Sequence, residues 1–273
     1  MTSRDILSAP APPADARIAY GDGPQQFGDL RLPTGEAGGD ARPRPVVMAI
    51  HGGFWRAAFN LDYMGHLCAA LREAGIATWN VEYRRVGEAG GGWPGTFRDL
   101  AQAADHLRAL APRYNIDLGR VVTLGHSAGG HLALWLAARP RIPADDPLYD
   151  PAPLTPRAAV ALAGVVDLRE AWRLDLGDGA VRELMGGAPD EYPARYGAAS
   201  PAALLPLGVP QGLVHGTADD RVPYALGRDY QARAVAHGDD ARLITLEGAD
   251  HFTLVDPHLR EGRTVIETVS SLL

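Results

Sequence analysis

The stretch 121-VVTLGHSAGGHLALWL-136 sets the tightest limit on what this chain can fold into. Its first four residues are apolar and mostly β-branched, as in a short buried strand. The residues after Ser127 are rich in Ala and Leu, as in a buried helix. Between them stands Gly125-His126-Ser127-Ala128-Gly129, with glycine two residues before and two after a single hydroxyl. A strand that feeds directly into a helix belongs to an α/β layer arrangement, and the small flanking residues predict a sharp turn between the two.

The rest of the chain repeats that alternation. Strands are expected at Ile18–Tyr20 and Phe27–Leu32, joined by the turn 21-GDGP-24, and then at 46–50 after a Gly/Pro/Arg loop at 35–45. Further strands are expected at 76–83, 121–124, 158–164, 211–215 and 242–246. Asn60 is placed to cap a helix carrying Leu61, Met64, Leu67, Cys68 and Leu71 on one face and ending at Gly75. Thr96 and Asp99 are placed to cap a second helix, with Phe97, Leu100, Ala104 and Leu107 on its apolar stripe. A third runs from Ser127 to about Pro140, and 259–273 closes the chain. Helices between strands imply a mostly parallel sheet covered on both faces. Residues 1–15, rich in Pro and Ala, are expected to fray. The interval 165–208 breaks the rhythm and is expected to form a small helical excursion within a single domain spanning 1–273.

Composition removes several kinds of chemistry. All 26 basic residues are arginine, which excludes a Walker-A phosphate loop, a lysine Schiff base and a Ser–Lys dyad. Cys68 is the sole cysteine, so neither an internal disulfide nor a thiolate zinc cluster can form. A net charge of −7 argues against a nucleic-acid or anionic-membrane partner, and no apolar run is long enough to span a bilayer. The N-terminus lacks the positive start and apolar core of a secretory signal, so the expected location is cytoplasmic. No metal and no cofactor is expected.

What remains is side-chain nucleophilic chemistry. A serine on a strand-to-helix turn stands above the C-terminal edge of the sheet, where the free N–H groups and dipole of the following helix favour a developing negative charge. It needs a base, and the base needs an orienting acid. Of nine histidines, His251 alone follows a late strand into a loop at the same sheet edge. His126 and His131 are tied to the elbow and its helix, His66 and His106 lie within helices, and His237 reads as a helix C-cap. Asp219 and Asp220, in the loop after the preceding strand, are both available as the acid. The glycines of 51-HGGFW-55 let backbone N–H groups turn toward the site, joined by that of Ala128.

On 51-HGGFW-55, 125-GHSAGGHL-132, 164-GVVDL-168, 215-HGTADDRVP-223 and 250-DHF-252, the chain resembles the α/β-hydrolase superfamily, and within it the esterase/lipase branch that includes kynurenine formamidases. The resemblance spans residues 46 to 255. It implies an α/β-hydrolase fold, a triad of Ser127, Asp219 and His251, and oxyanion donors at Gly53, Phe54 and Ala128. It implies hydrolysis of a small-molecule ester, or of a formamide as in arylformamidases acting on N-formylkynurenine. Trp55, Trp93 and Trp172 are expected to wall an aromatic substrate pocket, and a homodimer is the assembly to test.

Overall fold

The computed structural model describes residues 5–34 and 42–273, so most of the expected 35–45 loop lies outside the described residues. In chain order the elements are β1 (Ala16–Ala19), β2 (Phe27–Arg31), β3 (Arg44–Ile50), α1 (Gly65–Glu73), β4 (Ala77–Val81), α2 (Gly95–Tyr114), β5 (Ile116–His126) and α3 (Ala128–Ala138). They continue as β6 (Ala158–Leu162), α4 (Leu168–Arg173), α5 (Ala180–Met185), α6 (Pro193–Ala199), β7 (Gln211–Gly216), α7 (Tyr224–Ala236), β8 (Ala241–Leu246) and α8 (Arg260–Ser271). Among the described residues, eight strands form one sheet in the order β1-β2-β4-β3-β5-β6-β7-β8. β1 and β2 join antiparallel, and β4 through β8 run parallel.

The two-residue period of the strands sorts the core into two layers. From β3, Val46, Met48 and Ile50 meet Phe97 and Leu100 of α2 and Leu132 of α3 on one face. Val47 and Ala49 meet Leu67 and Leu71 of α1 and Val265 and Val269 of α8 on the other. Central strands buried on both faces read as continuous apolar runs, which is how 46–50 and 121–124 stand out in the sequence. Every residue of α3 is buried, because this helix is covered all round and has no solvent face.

Several local expectations need correction. Asn60 does cap, its side chain accepting from the Asp62 N–H, but the turn it starts is a 3-10 segment, Leu61–Met64, that leads into α1. Thr96 and Asp99 do not cap α2; Thr96 sits inside its first turn and Asp99 just past it. Thr96 Oγ1 donates to the Arg84 carbonyl at 2.6 Å, and buried Asp99 accepts from the Arg84 backbone and guanidinium and from Gln26. Long-range partners at the exit of β4 compete successfully for polar groups that local rules assign to the helix end. β5 extends back to Ile116 through an irregularity beside β3.

Of the expected frayed segment, residues 1–4 lie outside the described residues, and residues 5–15 are more ordered than their composition implies. Asp5–Leu7 form a 3-10 turn that buries Ile6, and Arg31 donates to the Pro12 carbonyl at 2.7 Å. The segment is held by partners far along the chain and so leaves no local signature. Residues 165–208 carry three short helices, α4 to α6.

Candidate active site

Ser127 stands between β5 and α3 at φ 57°, ψ −119°, a conformation that costs a non-glycine residue about 1–3 kcal/mol. The surroundings over-determine it: Ser127 N–H donates to the Leu162 carbonyl at 2.8 Å, and its own carbonyl accepts from Gly130 and Val165. A Cβ on Gly125 would lie 2.0 Å from the Gly129 carbonyl oxygen, and one on Gly129 would lie 2.1 Å from that of Ile50. Both glycines are therefore steric requirements of the turn, and together they put the serine at the carboxyl end of the central strands.

His251 reaches the same place from the loop after β8. Its Nδ1 lies 2.7 Å from Asp219 Oδ2, and neither side chain is more than marginally exposed. Asp219 Oδ1 accepts the N–H groups of Arg221 and Val222, each at 2.8 Å. Burial alone would raise the Asp219 pKa; hydrogen bonds from His215 and His251 and the Val222 N–H outweigh it and hold the carboxyl well below the carboxylate range. Asp220, by contrast, is more than half exposed and leans toward Arg221. Asp250 is turned into its own loop, accepting from Phe252 and Thr253. His237 caps α7, its Nδ1 on the Arg233 carbonyl.

Three consecutive residues, Gly53, Phe54 and Trp55, have positive φ (109°, 51° and 57°), so the chain after β3 bends back over the elbow. His51 anchors this bend. Its Nδ1 lies 2.8 Å from the Gly52 carbonyl and its Nε2 lies 2.9 Å from Glu82 Oε1. Both partners are oxygens, so the buried ring ties the bend to the Glu82 carboxylate. Burial opposes ionisation of Glu82, but His51 and Arg85 overcome it and hold its pKa below the usual value.

These pieces meet at a cavity of about 290 Å3 lined by Gly53, Phe54, His126, Ser127 and His251, and also by Leu7, Phe59, Tyr63, Arg221 and Phe252. Ala128 is buried directly behind the serine as the first residue of α3. The three tryptophans expected as pocket walls do not line this cavity. The positive-φ bend turns Trp55 the opposite way from Phe54, into the core, where it is fully buried and edge-on to His131. Trp93 packs edge-on to Phe97 of α2. Trp172 borders a separate, more open cavity of about 570 Å3 beside α4 and α5 that touches neither Ser127 nor His251. Phenylalanines supply the aromatic wall instead. Phe252 and Arg221 were detectable as sequence neighbours of His251 and Asp219. Tyr63 was hidden in a helical pattern, and Leu7 lies in a segment with no local signal.

The BD-FAE family profile matches residues 29–233, about three quarters of the chain. Among curated proteins, "Neutral cholesterol ester hydrolase 1" of Rattus norvegicus is 32% identical over 40% of this chain and 27% of its own length. "Probable isoprenylcysteine alpha-carbonyl methylesterase ICME" of Oryza sativa subsp. japonica is 27% identical over 94% of this chain and 63% of its own. The chain thus spans about a quarter of the first relative and under two thirds of the second. Among solved structures, a truncated carbohydrate esterase from gut microbiota superposes with a TM-score of 0.80 at 20% identity, covering 96% of each chain. At that identity the likeness establishes the α/β-hydrolase fold.

Proposed function

Because the chain belongs to the BD-FAE family, whose members are α/β-hydrolase-type esterases, we propose that it is a serine hydrolase of short-chain or aryl carboxylic esters. The observation that carries this reading is Ser127, on its strained elbow, sharing one cavity with His251, whose Nδ1 is bonded to Asp219 at 2.7 Å. Asp219 takes the Nδ1 proton into its hydrogen bond and leaves Nε2 to act as the base. Ser127 Oγ attacks the acyl carbon as His251 accepts its proton, and the imidazolium then protonates the leaving alkoxide. Water, deprotonated in turn by His251, hydrolyses the acyl-enzyme.

The oxyanion falls to N–H groups of Gly53, Phe54 and Ala128. The Gly52 N–H is already committed to Tyr63 Oη at 2.6 Å, so the donors are the next two residues of the bend, together with the first N–H of α3. A cavity of about 290 Å3 walled by Phe54, Phe59 and Phe252 suits a short acyl chain or an aryl group.

A second reading, an arylformamidase acting on N-formylkynurenine, is favoured by Arg221, the one permanently charged side chain among the described residues that line the cavity. It offers a partner to the carboxylate of an amino-acid substrate.

Ser127→Ala should fold normally, lose covalent labelling by an organophosphonate and lose about 10³-fold or more in turnover. Labelling at the wild-type rate would remove Ser127 from the mechanism. Specificity constants for p-nitrophenyl acetate, butyrate and palmitate, measured beside N-formylkynurenine, test the substrate. Acetate or butyrate should lead; palmitate as the best substrate defeats both readings, and a formamide value far above every ester selects the second.

A further inference from the structure

Behind the cavity, two side chains connect three separate chain segments. The Gly52 N–H lies 2.6 Å from Tyr63 Oη, Tyr63 Oη lies 3.0 Å from His126 Nδ1, and His126 Nε2 lies 2.9 Å from the His251 carbonyl oxygen. Gly52 belongs to the oxyanion bend, His126 immediately precedes the serine, and His251 is the base. Tyr63 and His126 are both buried.

The protons along this path have one consistent order. An amide nitrogen only donates, so Tyr63 Oη accepts from Gly52, and the phenol's own proton is free to point at the adjacent His126 Nδ1. A backbone carbonyl only accepts, so His126 Nε2 carries the proton it gives to His251. His126 is then the neutral Nε2–H tautomer. An imidazolium would also satisfy both contacts, but the ring is buried and hydrogen-bonded to no carboxylate. Its centroid is 4.6 Å from that of His251, which must itself become cationic during the reaction. Facing it are Tyr63 and His251, with Asp219 and His215 beyond. Burial, joined by repulsion from His251, pushes its pKa down to about 3.

We infer, resting on the esterase reading above, that Tyr63 and His126 are positioning residues: a proton-ordered strut that holds the backbone of the catalytic base in register with the oxyanion bend. Contact at the near end is tight, since a Cβ on Gly52 would lie 2.6 Å from the His126 carbonyl oxygen and 2.9 Å from Ser127 Cβ. Donors, nucleophile and base come from three loops, and their mutual distances determine whether charge develops where it is stabilised. A strut of this kind acts on turnover more than on substrate binding.

The test pairs kinetics with a direct reading of the tautomer. In wild-type protein, the 15N resonances of His126 should show the Nε2–H form without titration between about pH 5 and pH 8. Tyr63→Phe keeps the ring but removes the hydroxyl; kcat for p-nitrophenyl acetate should fall about 10- to 100-fold while KM changes less than about 3-fold. His126→Gln, which can still donate to the His251 carbonyl, should retain more turnover than His126→Leu. An Nδ1–H tautomer or an imidazolium in wild-type protein would overturn the proposal, as would wild-type kcat in Tyr63→Phe. The tautomer is read without substrate, so a failure of the esterase reading, seen as full activity in Ser127→Ala, would be distinct from a failure of the strut.

Discussion

Asp219 and Asp220 are chemically identical neighbours placed in opposite situations. The turn after Asp219 folds the N–H groups of Arg221 and Val222 onto Oδ1 and leaves Oδ2 for His251, whereas Asp220 projects into solvent. An ionised, immobilised carboxylate can fix the His251 tautomer, and a solvated one cannot. Asp219→Asn should therefore lower kcat by about 10³-fold or more, and Asp220→Asn by no more than about twofold, measured on the same aryl ester. Equal losses would show that the acid is wrongly assigned. At this scale the residue types were legible and their orientation was not: the two aspartates stay equivalent until a resemblance or a turn geometry separates them. Trp55 makes the same point, since its position beside the proposed oxyanion donors suggested a pocket wall and its backbone conformation sends the ring into the core.

Between β5 and α3 the elements meet with no room to spare, and that is the physical content of the glycine pattern. Gly125→Ala forces a methyl onto the Gly129 carbonyl and should destabilise the protein by about 3 kcal/mol or more, the upper end of overpacking costs. Gly197, in α6, meets nothing within 4 Å of a built Cβ. Gly197→Ala should be neutral or stabilising by about 0.5–1 kcal/mol, because alanine loses less backbone entropy in a helix. Urea denaturation of the two variants checks the contrast, and equal midpoints would mean that the elbow relaxes freely. Elements with a strong local pattern were legible in this chain, β3 as a continuous apolar run and α1 by its helical period. The start of α2 was not: Asn60 and His237 cap where the sequence placed them, whereas Thr96 and Asp99 are recruited by Arg84, a partner brought close only by the fold.

The molecule as a whole buries histidines that must stay neutral. His131 is fully buried against Trp55 and Phe97, and desolvation lowers its pKa to about 4; His126 is lowered further. The unfolded chain binds protons at these rings near their ordinary pKa of about 6.5, and the folded chain does not until the pH falls much lower. Stability contributed by their neutrality is therefore present above about pH 6.5 and declines as the pH falls, levelling only near the folded pKa values. For His131 the difference corresponds to about 3 kcal/mol at about 1.4 kcal/mol per pH unit. Chemical denaturation at about pH 7.5 and pH 4.5 should show this loss, and His131→Gln, which keeps a donor for the Ala199 carbonyl but does not titrate, should reduce it by about 2 kcal/mol. An unchanged pH dependence in that variant would place the acid sensitivity elsewhere.

Sequence alone determined the alternation of strands and helices, the position of the elbow and the chemical identity of the triad candidates. All three follow from local properties: side-chain period, steric size at glycine, and functional groups placed at strand ends. Tertiary structure decided which aspartate meets the imidazole, that phenylalanines rather than tryptophans wall the cavity, and that Leu7 and Tyr63 border it. It also decided the path from Gly52 through Tyr63 and His126 to His251. Those features depend on direction and on contacts between residues as much as 125 positions apart, and a backbone bend of a few residues is enough to redirect a ring from cavity to core. Hydrogen-bond order is the extreme case: no residue on that path specifies its own tautomer, which is fixed only once an amide and a carbonyl from distant loops are held at its two ends.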